Sequence, residues 1–161
     1  MEATHQRGLL GPHKIIGPVD DPYMLRWFIF RFSKLPRIYI HKFMRSDDDR
    51  GLHDHPWWFI SIILRGSYFE IRPDNGLNYR KAGSVAFRRA TDRHRVVLEA
   101  DFDSDGKLTR PKPVWTLFIT RPVVRIWGFW CEKQDEYKYP FGMETTVPER
   151  FIPAHGFDGC D

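Results

Sequence analysis

Apolar and polar positions alternate with a period of two through most of the middle of the chain. In "RIYIHKFM", residues 37–44, Tyr39, His41 and Phe43 share one face, and Ile38, Ile40 and Lys42 share the other. That pattern predicts a strand. The run from His55 to Leu64 is apolar on both faces, as in a strand between two sheets or at a subunit interface. Gly66 breaks it, "SYFEIR" returns as a partner strand and "PDNG" is a turn. "YRKAGSVAFRR" and "RHRVVLEA" then predict two more short strands around a turn. After the polar excursion "DFDSDGKLTRPKP", "VWTLFIT" and "VVRIWGFWCE" read as a terminal pair joined at "RP". Upstream, "DPYMLRWFIFRF" carries enough aromatics to dock, as a strand or a short helix.

Composition sharpens this picture. Six Trp, thirteen Phe, twelve Pro and twelve Gly among 161 residues favour many short strands over long helices. The expectation is one all-β domain: residues 1–22 an irregular lead-in, 23–131 a sandwich or small barrel, and 132–161 an irregular C-terminal tail. The formal charge of +4 is spread along the chain and is too mild to call for a nucleic-acid partner. Cys131 and Cys160 are the only cysteines, so no disulfide framework is implied and a cytoplasmic location is expected. No signal-peptide core and no membrane-length apolar run is visible.

The candidate chemistry starts at "RGLHDHPWW". On a strand His53 and His55 project to one face, close enough for both rings to reach one ion. Two ligands hold a divalent metal poorly, and His94, at the start of "HRVVL", is the candidate third.

These residues resemble the cupins. The spaced glycine, His-x-His and later glycine of the first cupin motif are matched by Gly51, His53-Asp54-His55 and Gly66, with a short first spacer. "GSVAFRRATDRH", from Gly83 to His94, resembles the second motif, with its usual turn Pro and Gly replaced. The likeness spans roughly residues 38–130 and extends to phage and bacterial cupin-like proteins with similar "HDHPW" and "WGF" patterns. It implies a single cupin-type jelly-roll β-barrel. The usual motif glutamate would fall at Phe59 or Ile60, which cannot bind metal, so the implied ligand set is three histidines, similar to the thiol dioxygenases. Such a site suits Fe(II), with Zn, Mn or Ni as alternatives.

Tyr68 and Glu70 share a strand face just past Gly66. Glu70 can serve as a relocated ligand, a general base or an orienter of a ligand histidine; with Phe69 and Ile71 inward instead, the pair would face solvent. His41 either lines the pocket or is a satisfied structural histidine. Among Arg88, Arg89, Arg93 and Arg95, one reaching the pocket would attract an anionic small molecule, and Arg95 is the choice. Arg125 and Trp127, on one face of the last strand, can form a cationic and aromatic wall, with core packing the alternative for Trp127. Asp54 points away from the histidines and is expected to cap the loop or pair with an Arg. "DFDSDGK" imitates a calcium loop, but Lys112 stands where a bidentate Glu is needed, so it reads as a polar hairpin. Ser61 and Cys131 lack a recognisable base and read as structural. The expected function is a metal-binding cupin acting on a small molecule, foremost as a dioxygenase-type oxidoreductase and paired as a homodimer. A metal-dependent hydrolase or isomerase with Glu70 as base, or a non-catalytic binding module, are the alternatives.

Overall fold

A computed structural model of the chain describes residues 11–30, 36–47, 51–73, 76–132 and 149–154. Among them there are twelve strands and no helix, as the short alternating runs lead one to expect. Met24–Phe30 resolves as a strand, although its apolar run alone was compatible with a helix. The strands are β1 (Lys14–Ile16), β2 (Met24–Phe30), β3 (Arg37–Phe43), β4 (Leu52–His53), β5 (Phe59–Arg65) and β6 (Ser67–Ile71). They continue as β7 (Leu77–Lys81), β8 (Val85–Arg88), β9 (Arg95–Leu98), β10 (Val114–Thr120), β11 (Gly128–Glu132) and β12 (Glu149–Pro153).

Six strands form one antiparallel sheet in the order β1-β2-β3-β10-β5-β8. Two three-stranded sheets, β7-β6-β9 and β12-β11-β4, complete the jelly-roll. The expected barrel is therefore open: its sheets do not close into one continuous ladder. The crossover from the large sheet to β6 runs through Gly66, whose φ of 86° suits glycine, and where a Cβ would lie 3.0 Å from the Pro113 carbonyl oxygen. Ile63, Tyr68, Val96, Leu98 and Val114 pack together across that crossover, with Phe43 against them.

Three expectations shift. The lead-in contains β1, paired with β2, and the tail contains β12, paired with β11. "VVRIWGFWCE" is a strand only from Gly128, because residues 121–127 run as a loop. Cys131, fully buried, is disulfide-bonded, which removes the argument for a reducing compartment. Among the described residues no helix is long and apolar enough to cross a membrane. The calcium-like segment is a self-closed polar hairpin: Asp103 Oδ1 accepts from the Asp105 and Lys107 amides at 3.0 and 2.8 Å, and Lys112 Nζ donates to Asp101 at 2.7 Å.

Candidate metal centre

His53 is the last residue of β4, and His94 immediately precedes β9. The two are locked face to face by reciprocal backbone bonds, His53 N–H to the His94 carbonyl at 2.9 Å and His94 N–H to the His53 carbonyl at 3.0 Å. Directly opposed residues in an antiparallel bridge put their side chains on one side. His55 lies beyond the end of β4, in a turn, and its amide is fixed to the Ala90 carbonyl at 3.1 Å. The three rings converge: one nitrogen from each lies within 4.8 Å of the others, and the Nε2 atoms of His55 and His94 are 2.9 Å apart.

The groups behind the rings fix which nitrogen faces inward. His94 Nδ1–H donates to Glu70 Oε1 at 2.8 Å, leaving Nε2 as the lone-pair atom. Glu70 is itself gripped by Arg88, through Nε at 2.9 Å and a second, short contact from the same guanidinium, and by Arg80 at 3.4 Å. Burial alone would raise the Glu70 pKa, but the bonds from His94 and Arg88 prevail and hold it at about 2. Asp47 stands behind His53, 3.6 Å from Nδ1. It is anchored by the Tyr23 hydroxyl and by the Val96 amide at 2.6 Å. Asp54, between the two motif histidines, is buried and points the other way, accepting from Gly128 N–H at 2.9 Å, Arg125 Nη1 at 2.7 Å and Trp130 Nε1 at 3.2 Å. That clasp ties the His53–His55 turn to the start of β11.

Burial keeps the His53 and His55 rings neutral. The His53 pKa falls to about 4, lowered by burial and His94 against the pull of Asp47; burial and the two neighbouring histidines lower that of His55 as well. Three imidazoles whose nitrogens converge within 4.8 Å are a fitting donor set for a divalent transition metal.

The same shifts give a stability prediction. In the unfolded chain a histidine takes up its proton below about 6.5, while folded His53 resists protonation down to about 4. The His53 contribution to the stability of the metal-free protein is therefore complete above pH 7 and is lost as pH drops, a loss of roughly 3 kcal/mol by pH 4. Glu70 acts in the same direction lower down: its contribution is complete above about 4.5 and is lost as pH falls toward about 2. Melting temperatures of chelator-treated protein from pH 8 to 4 check this, and a Tm constant down to pH 5 would contradict it.

A cavity of about 290 Å³ opens beside the three rings. Tyr68 lines it, whereas Glu70, on the same inward face of β6, sits behind His94 and outside the lining. Of the readings open for Glu70 from sequence, its position is that of an orienter; the solvent-facing alternative is excluded by its 1% exposure. His41 and Trp127 line the cavity, Trp127 lying parallel to His55 at 6.4 Å. Arg95 and Arg125 do not line it. Arg125 instead leaves the expected strand face, because residues 121–127 are loop, and binds Asp54 and the carbonyls of His55 and Ala90. Of the neighbouring arginines, Arg88 serves Glu70 and Arg93 lies 4.8 Å over the Trp130 ring. Sequence reasoning passed over Arg26 and Asp47, which both line the cavity. Asp47 is the first of three consecutive aspartates in the sequence, with no signal to single it out, and the face of Arg26 was unreadable while its segment could be helix or strand.

No protein-family model matches the sequence, and no curated protein does. Among solved structures, the chain is similar to a cupin-like protein of Thermotoga maritima, with a TM-score of 0.51 and 16% identity over 71% of this chain and 83% of that one. It is also similar to a protein of Ralstonia eutropha provisionally assigned as a mannose-6-phosphate isomerase, with a TM-score of 0.50 and 16% identity over 65% and 89% of the two chains. At such identities the likeness is one of fold.

Proposed function

We propose that this chain, a cupin by fold, holds one divalent metal ion through His53, His55 and His94 and uses it on a small organic molecule, with Fe(II) and dioxygenase-type oxidation as the favoured chemistry. The observation that carries the reading is the convergence of three imidazoles, with a carboxylate behind two of them, at the wall of an apolar cavity. Bound there, Fe(II) would leave positions for substrate and O2 together, while Zn(II) would supply an activated water.

The protein's own side chains favour the first. Glu70, held by His94 and Arg88 with its pKa at about 2, is a poor general base. The Tyr68 phenol is pushed up to about 12, first by burial and then by Glu70, so near neutrality it is a hydrogen-bond donor. Hydrolysis or isomerisation through Glu70 would need a carboxylate free to take a proton; oxidation of a metal-bound substrate does not. Tyr68 then orients the substrate, and Trp127 and Phe59 shield the reacting end from water. Pairing as a homodimer belongs to the same proposal: Val85 and Phe87 stand exposed on β8, an edge strand, and light scattering would read the mass.

The test is elemental analysis of protein purified without chelator, beside a variant with His55→Ala and His94→Ala. About one equivalent of metal is expected in the wild type, and its loss in the variant. Iron directs the search to O2 uptake, and zinc to hydrolysis. A wild type that carries no metal and takes none up on reconstitution overturns the reading.

A further inference from the structure

The cavity has a second polar end. Arg26 of β2 and His41 of β3 are directly paired across the ladder, so both side chains project to one face, and both line the cavity. Arg26 Nε–H donates to His41 Nε2 at 2.9 Å. With that nitrogen accepting, the proton of neutral His41 resides on Nδ1. Burial, then the nearby Arg26 charge, lowers the His41 pKa and keeps the ring neutral. Nδ1 is buried and has no hydrogen-bond partner, in a residue only 2% exposed. The guanidinium is held flat by the Tyr39 ring, 5.1 Å from its centroid. Among the described residues its side chain bonds His41 through Nε, and its ionisable neighbours are the phenols of Tyr39 and Tyr23 rather than a carboxylate. The unsatisfied His41 N–H is costly where it stands, and beside a guanidinium with no carboxylate neighbour on the wall of the same apolar cavity it suits a ligand with acceptor oxygens and negative charge.

Between this end and the metal centre lies a run of rings. His41 is 5.0 Å from Phe118, Phe118 stacks on Phe59 at 4.4 Å, and Phe59 meets His55 at 4.5 Å. We propose that Arg26 and His41 form the carboxylate-binding end of the site, which takes a small organic acid with an apolar or aromatic body. The acid group pairs with the two Nη atoms of Arg26 and with His41 Nδ1–H; the body lies along Phe118 and Phe59; the opposite end reaches the three histidines. The volume of about 290 Å³ fits a compact acid rather than a nucleotide or an oligosaccharide. Placing the reactive end at the histidines rests on the proposed function, but carboxylate binding at Arg26 does not need the metal.

The experiment is therefore run on chelator-treated and on metal-loaded protein. Benzoate, phenylacetate, 3-phenylpropionate and hexanoate are titrated calorimetrically against the wild type, each beside its primary amide. At least one acid is expected to bind about tenfold or more tightly than its amide, with Arg26→Met erasing the difference and Arg26→Lys, which keeps the charge, retaining part of it. No acid exceeding its amide, or an acid preference intact in Arg26→Met, overturns the proposal. The acid–amide comparison within the wild type decides the matter if Arg26→Met does not fold. Acid preference in a protein that binds no metal would leave this proposal standing and sink the metal reading, and the reverse result would do the opposite.

Discussion

Glu70→Ala is expected to lower both stability and metal affinity, by amounts that separate its two tasks. The substitution leaves the half-buried Arg88 without its counter-ion and removes one partner of Arg80, and breaking such a largely buried pair from one side costs up to about 3–5 kcal/mol. For a chain of this length that is a fall in Tm of roughly 6–20 °C. It also frees His94 Nδ1, so the ring loses the bond that selects its tautomer, and metal affinity should drop about 10- to 100-fold. Glu70→Gln keeps the shape and an acceptor oxygen but not the charge. It should recover part of the metal affinity while remaining destabilised through Arg88. Differential scanning calorimetry of the metal-free variants and a competitive chelator titration of the loaded ones measure the two effects independently. A Glu70→Ala protein with unaltered metal affinity would show that His94 needs no support from behind.

Asp54→Ala is the second large effect, and it acts through packing of the loop rather than through a ligand. Its carboxylate gathers three donors, the Gly128 amide, the Trp130 indole and Arg125, and is itself 1% exposed. Alanine leaves the Gly128 and Trp130 donors unpaired, while Arg125 keeps only its carbonyl contacts. The expected cost is about 3–5 kcal/mol, read as a lower urea midpoint at constant slope. Asn at the same place keeps one acceptor and should cost about half as much. Because β11 pairs with β4 through Phe129 and His53, the Ala variant should also exchange the His53 amide proton faster. Equal urea midpoints for wild type and Asp54→Ala would refute the clasp.

How much of this was legible in the sequence follows from what each feature depends on. Alternation is a local property, so β3, the β5 core, β6 and β10 could be read directly from apolar spacing. The two flanking glycines and the His-x-His pair mark the candidate metal centre because they are close in sequence, and His94 follows from the order of the motifs. What acts on those rings is not local. Glu70 meets Arg88 only because β5 lies between β8 and β10 while β6 crosses to another sheet, and a run of four arginines gave no sign of which one turns inward. Arg26 reaches the cavity because β2 registers against β3 at His41, a pairing no spacing within either segment encodes. Arg125 was assigned to a strand face by extending alternation past its true start at Gly128, since "VVRIW" is apolar enough to imitate a strand.

The reciprocal backbone bridge between His53 and His94, and the turn at Arg89–Asp92 that leads into it, set how this gene can vary in length. One residue added or removed between Arg89 and Arg93 would slip the bridge by one position and turn the His94 ring to the opposite side. The hairpin at 101–112 closes on its own side chains and stands exposed, so it can grow or shrink without moving any group at the site. An affinity tag, a fluorophore sequence or a second domain inserted at Asp105–Gly106 should leave the three imidazoles in register, which makes that tip the natural attachment point for a reporter of what enters the cavity.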